Sequence, residues 1–188
     1  MFIDAWLTVF ATTSYAKSSI SEICSVAGLS RRQFYEEFSD REDLLEAVYD
    51  DAHDAARIAV QDAMADAEEA SVREIVENGL AAYIAATVSD IRRAKVVYLE
   101  VLGVSPRFEQ HLLEVRNEWA QIIVSAVARR TDVHPPACGW DVAMAAFTGA
   151  LNSAVHEWST GTPRPPVESL TAMLSMLLFA LLAPVPPV

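Results

Sequence analysis

Cysteine is nearly missing from this chain of 188 residues: Cys24 and Cys138 stand far apart and fit no CxxC or metal-ligand spacing. A disulfide framework is therefore not indicated, and a reducing cytoplasm is the expected compartment. Glycine is also scarce, at 6 residues, and β-branched alternation is almost absent, which argues against a strand-rich fold. Basic charge is short as well, with 14 Lys+Arg against 26 Asp+Glu and a net charge of −12. The long-range field of such a molecule repels phosphate, so blanket attraction to nucleic acid or anionic membrane is excluded and any DNA binding must come from a local patch. No apolar run reaches the roughly 20 residues that span a bilayer. The most apolar stretch, Leu170 to Ala183, is interrupted by Thr171 and Ser175 and reads as a buried helix, so no membrane partner is expected. The opening MFIDAWLTVF has neither the basic leader nor the small-residue cleavage site of a secretory signal.

What is present is apolar bulk, 52% of residues, enough to bury a real core in one unit or in a small module joined to a larger one. Ala, Leu, Glu and Arg dominate, and the apolar positions recur at helical spacing, so the expected fold is all-α with about nine helices. Helix starts are marked by a capping-box pattern that occurs four times: Ser19 with Glu22, Ser30 with Gln33, Ser39 with Glu42, and Ser71 with Glu74. Each serine can accept from the N3 amide while the Glu or Gln reaches back. The first helix is expected from Phe2 to Thr13. The second runs from Ile20 to Ala27 with Ile20, Ile23, Cys24 and Ala27 inward and Gly28 ending it. The third follows Ser30 and ends near Phe38, and a fourth follows Ser39 and continues towards Ala70. Further helices are expected at about 72–88, 90–102, 106–130, 137–159 and 167–183. Ser105-Pro106 supplies a cap and an N1 proline; His134-Pro135-Pro136, the run from Gly161 to Pro166, and the tail from Pro184 to Val188 break the helical pattern.

The stretch from Ser19 to Leu45, SISEICSVAGLSRRQFYEEFSDREDLL, carries the functional signal. Two short helices joined through Gly28-Leu29-Ser30 match a helix-turn-helix, whose second helix enters a DNA major groove. With Phe34 and Phe38 inward, helical rotation puts Arg32 and Glu36 outermost and Gln33 and Tyr35 beside them, with Arg31 nearer one flank. This segment resembles the recognition segment of the TetR (tetracycline-repressor-like) transcriptional regulators, and FIDAWLTVFATTSYAKSSISEI upstream resembles that family's first helix and following loop. The resemblance implies a DNA-binding domain over residues 1–48 and an effector-binding and dimerisation domain over 49–188. It further implies that Ser30, Arg31, Arg32 and Gln33 open the groove-facing helix, that Tyr35 bonds a backbone phosphate, and that Lys17, Ser19 and Arg41 flank it as phosphate contacts. The chemistry suits these roles, since Arg pairs bidentately with guanine and Gln with adenine, while hydroxyls, Lys and helix N-termini hold phosphates.

Three features depart from the family pattern. Glu37 stands where histidine is usual before the phenylalanine, Ser14 stands where glycine is usual before the aromatic, and the chain starts almost at its first helix without a basic arm. Over residues 1–52 four basic residues face ten acidic ones, a net −6. The simpler readings are that Phe34, Phe38, Ile20 and Ile23 are core, that Arg31, Arg32 and Gln33 are a solvated helix end, and that Ser19 only caps its helix. Asp50, Asp51, His53 and Asp54 spread around a helix and read as a solvated face, so no metal is expected. His111, His134 and His156 stand without an HExxH, a GxSxG or a paired nucleophile, so neither an enzyme nor a cofactor is expected.

In the C-terminal half, Ala145, Ala146, Gly149, Ala150, Ser153 and Ala154 make one helix rich in small residues, and MLSMLLFALL follows. A homodimer through these two helices is expected, with Ala146, Gly149, Ala150, Ser153, Met173, Met176 and Leu177 in the interface; burial within one subunit is the competing reading. Tyr83, Tyr98, Phe108, Trp119, Phe147, Asn152 and His156 lie among aliphatics and are candidates to line an effector pocket. The expectation is a ligand-responsive DNA-binding regulator, a repressor released from a palindromic double-stranded operator by a small apolar effector. The alternative is a helical small-molecule-binding or interaction protein whose helix-turn-helix no longer binds DNA.

Overall fold

The computed structural model describes residues 2–65, 70–127 and 136–182. Among these, the regular elements are all helical. They are α1 (Phe2–Thr12), a 3-10 turn (Tyr15–Lys17), α2 (Ile20–Ala27), α3 (Arg31–Glu37), α4 (Arg41–Ala63), α5 (Val72–Val88), α6 (Ile91–Lys95) running into a π-helical turn (Val96–Glu100), α7 (Pro106–Val127), α8 (Gly139–Thr160) and α9 (Val167–Leu182). The all-α expectation holds. α4 ends at Ala63, short of residue 70, with Met64 and Ala65 turning away. The expected break at His134-Pro135, the tail from Pro184, and any helix across 66–69 lie outside the described residues.

Local chemistry accounts for the boundaries. The boxes at Ser30 and Ser71 close in both directions, and the Ser19 hydroxyl accepts from the Glu22 amide at 3.2 Å. The box expected of Ser39 and Glu42 does not form, and the helix starts one residue later. Asp40, not Ser39, is the N-cap, its Oδ1 accepting from the amides of Glu42 at 2.7 Å and Asp43 at 2.9 Å, while the Asp43 carboxylate takes the Ser39 amide. An ionised carboxylate is the stronger acceptor and wins the helix start. Gly28 ends α2 at φ 67°, a left-handed value that no side-chain-bearing residue among those described adopts, and the Leu29 amide returns to the Cys24 carbonyl at 2.9 Å.

Trp6, Ile23 and Phe34 fill the centre of the α1–α3 unit, with Phe2 set edge-on to Phe34 at 5.7 Å and to Phe38 at 5.8 Å. Burying each such side chain stabilises by about 1.5–3 kcal/mol, and an edge-to-face ring pair adds about 0.5–1.5. α4 starts against this unit through Leu44, Leu45 and Val48 and continues as a wall of the larger one, packed on α5, which in turn packs on α9. α8 and α9 lie together. Polar clamps join the small unit to the rest. Arg92 reaches Asp4 at 3.3 Å and the Thr8 hydroxyl at 3.0 Å; the Tyr15 amide donates to Glu100 at 2.8 Å; Arg107 bonds Glu42 at 2.8 Å and Asp43 at 3.1 Å.

Candidate nucleic-acid interface and internal cavity

α3 presents its first turn to solvent because the Ser30 box satisfies the free amides there and Phe34, fully buried, anchors the opposite face. Arg31, Arg32, Gln33 and Tyr35 are exposed, Tyr35 at 52% and the Arg32 side chain at 88%. Two of these side chains already have partners. Arg32 Nε bonds Glu36 Oε1 at 3.0 Å, and Gln33 Oε1 accepts from the Ser30 amide and hydroxyl at 2.9 Å. Gln33 is thus part of the helix cap as well as of the exposed turn, which leaves its amide NH2 free to donate. Lys17 and Arg31 are exposed and have no carboxylate partner among the described residues.

Arg41 sits differently from the flanking role implied for it. Its guanidinium turns inward, Nη1 donating to the Tyr15 carbonyl at 2.8 Å and to the Ser18 carbonyl, while the group lies 4.7 Å from the Tyr15 ring centroid. It pins the 3-10 turn that carries Lys17 to the start of α4. Burial raises the Tyr15 phenol above its ordinary value, so the ring stays neutral beneath the cation.

The larger unit encloses an apolar cavity of about 230 Å³, walled by α4, α5, the π-helical turn and α7–α9. Of the residues expected there, Tyr83, Tyr98, Trp119, Phe147 and Asn152 line it; Phe108 and His156 do not. Phe108 is buried at the start of α7 against Tyr49, 6.0 Å between centroids, and His156 is exposed on α8. The π-helical turn contributes Val97 and Tyr98, whose hydroxyl lies 2.8 Å from that of Thr87 and is pushed up to about 12 by burial.

His53 overturns the reading of residues 50–54 as a solvated face. Asp51 and Asp54 are exposed, but His53 is 3% exposed and lines the cavity. Trp119 Nε1 donates to its Nδ1 at 2.9 Å. Its position continues the buried stripe Val48, Tyr49, Ala52, Ala56 and Val60 at helical spacing, a signal present in the sequence beside the more conspicuous aspartates. Burial lowers its pKa to about 4, assisted by the Arg57 charge, so the ring is neutral at physiological pH. Glu46, Asp50 and His111 bring donor atoms within 4.8 Å of one another. There, His111 Nε2 lies 2.7 Å from Asp50 and Nδ1 3.9 Å from Glu46, so both ring nitrogens already face carboxylates across α4 and α7.

Family profiles match most of this arrangement. That for bacterial regulatory proteins of the tetR family matches residues 2–48, and that for the MftR C-terminal domain matches 70–181. The chain belongs to the TetR family. No curated protein matches it. A tetR-family regulatory protein from Rhodococcus RHA1 has a similar structure at TM-score 0.74 and 21% identity, over 98% of this chain and 96% of its own. The regulator FadR from Bacillus subtilis, solved in complex with stearoyl-CoA, is similar at 0.77 and 20%, over 94% and 95%. The fatty acid degradation regulator FadR from Bacillus halodurans is similar at 0.76 and 19%, over 94% and 92%. At these identities the likeness is one of fold. As a TetR-family member the protein is a helix-turn-helix transcriptional regulator, and homodimerisation and ligand binding are typical of its relatives. No described helix is long and apolar enough to cross a membrane.

Proposed function

We propose that this TetR-family regulator is a homodimeric repressor that leaves a palindromic operator when a small apolar effector enters the cavity. One observation carries the reading: α4 is continuous from Arg41, which holds the turn beside the DNA-facing helix, to Tyr49, His53 and Val60 in the cavity wall. A ligand that moves the wall therefore moves the foot of the recognition unit. In a dimer, the two α3 helices would enter successive major grooves about 34–36 Å apart, and a ligand preferring another spacing would lower operator affinity. The domain division falls within α4 near residue 48. Tyr83, Tyr98, Trp119, Phe147 and Asn152 serve the effector, and the complex of the related Bacillus subtilis FadR with stearoyl-CoA supports an effector with a large apolar part. Ala146, Gly149, Ala150, Ser153, Met173, Met176 and Leu177 on α8 and α9 serve the dimer, supported by the exposure of Met173 and Met176. The free thiols of Cys24 and Cys138 suit a reducing cytoplasm.

The Arg32–Glu36 pair and the net −6 of the first 52 residues favour a second reading, in which the helix-turn-helix no longer binds DNA. Selecting bound fragments from the source genome at low salt separates the two. Enrichment of a palindrome supports the regulator, and absence of any enriched site overturns it.

A further inference from the structure

The cavity reverses the charge balance of the chain. The protein carries 26 acidic and 14 basic residues, yet among the described residues no carboxylate lines the cavity and one cation, Arg116, does. The other basic side chains along the α4–α7 seam are committed. Arg107 bonds Glu42 and Asp43, His111 faces Asp50 and Glu46, and Arg57 bridges Asp54 and Glu118. Arg116, half-buried on the same helix as Arg107 and His111, has no ion pair or hydrogen bond among the described residues.

A second donor, buried and unmet, belongs to another residue of the same wall. A tryptophan N–H can only donate, so the bond from Trp119 makes His53 Nδ1 the acceptor and places the ring proton on Nε2. That Nε2–H is buried and finds no partner among the described residues. Arg116 lies three residues before Trp119, the residue that holds His53, so one turn of α7 carries both the cation and the partner of the imidazole. Of the other polar groups lining the cavity, the Tyr98 hydroxyl is engaged with that of Thr87 at 2.8 Å and the Thr148 hydroxyl with the Met144 carbonyl at 2.8 Å, while the Asn152 amide can both donate and accept. The rest of the wall is aliphatic and aromatic, including Leu80, Ile123, Leu151, Leu178 and Phe147.

We propose that the effector is an organic carboxylate, an apolar molecule whose anionic head is held by the Arg116 guanidinium with the Nε2–H of His53 as a second donor. This rests on the effector reading of the cavity and names the ligand class. A guanidinium fork matches the two oxygens of a carboxylate, and a head bound there satisfies the cation and the buried imidazole together while the tail fills the apolar volume. A cationic head would be repelled by the guanidinium, and a neutral oxygen would accept a hydrogen bond there without neutralising the charge.

Calorimetric titration of the full-length protein with decanoate, decanol and decylamine tests this. Decanoate should bind at least about tenfold more tightly than the other two, as expected for a charge-assisted pair. Arg116→Met should bring decanoate to within about twofold of decanol, and Arg116→Lys should retain part of the preference; thermal melts check that each variant is folded. Decanol or decylamine binding as tightly as decanoate, or a preference that survives Arg116→Met, overturns the carboxylate assignment and leaves the cavity reading standing. Failure of all three to bind overturns both.

Discussion

Trp119 donates its indole N–H to Nδ1 of His53 across 2.9 Å, tying α7 to α4 through a neutral imidazole in the cavity wall. The tie has a pH dependence. An imidazole in the unfolded chain takes up a proton near 6.5, whereas the buried ring resists it until about 4. Between those values acid favours the unfolded chain, so this contribution is complete above about pH 6.5 and is lost as pH falls towards 4. The loss is on the order of 3 kcal/mol. Chemical denaturation at pH 7 and pH 5 should show a steeper loss for the natural protein than for His53→Gln; parallel losses would mean that the ring is not held neutral by burial.

Arg41 is expected to behave as a structural residue before it behaves as a phosphate contact. Arg41→Ala leaves the Tyr15 and Ser18 carbonyls without their donor and removes the cation from the Tyr15 ring, a loss of about 1–3 kcal/mol. Operator affinity should fall with it, because the turn bearing Lys17 loses its hold on α4. Arg41→Lys should restore little, since one ammonium cannot reach both carbonyls and stack. A drop in affinity with an unchanged melting temperature would assign Arg41 to the DNA instead.

Much of this architecture is legible in the sequence, because local chemistry decides it. The boundaries of α2 and α5 follow from Ser19, Gly28 and Ser71, whose caps act within one turn. The α4 start shifts by a residue because Ser39 and Asp40 are adjacent candidate caps, and the spacing pattern does not weigh carboxylate against hydroxyl. The exposed face of α3 follows from Phe34 alone, whereas the inward turn of Arg41 depends on carbonyls more than twenty residues away. The same holds in the cavity. Its apolar character is written in composition, but that His53 faces inward beside Trp119, and that Phe108 packs on Tyr49 instead of lining the space, depends on how α4 and α7 meet.

Glu36 should restrain DNA affinity in general more than it restrains choice of sequence. It pairs with Arg32 at 3.0 Å and so offsets that cation on the face proposed to meet DNA. Glu36→Gln is expected to strengthen binding to operator and to unrelated DNA alike, and to steepen the dependence of log K on log salt by roughly one phosphate contact. Fluorescence anisotropy over a salt series reads both quantities. A gain confined to one operator base pair would instead make Glu36 a base-reading residue.

Gly149 offers a test of the proposed dimer that leaves the subunit's own packing alone. It lies exposed on α8, and a Cβ built there meets nothing within 4 Å, so the folded subunit has room for a larger side chain. Leucine is also a better helix former than glycine, by a little less than the about 0.8–1 kcal/mol that separates glycine from alanine, which should keep or raise the stability of an isolated subunit. If α8 approaches its symmetry copy through Ala146, Gly149 and Ser153, the added isobutyl group holds the two helices apart and the interface loses its close contact. Gly149→Leu should therefore retain its helical circular dichroism, shift towards monomer in sedimentation at micromolar concentration, and lose operator affinity because one subunit engages only one half-site. A variant that sediments as a dimer as tight as the natural protein would move the two-fold axis off the small-residue face of α8 and onto the exposed methionines of α9, Met173 and Met176.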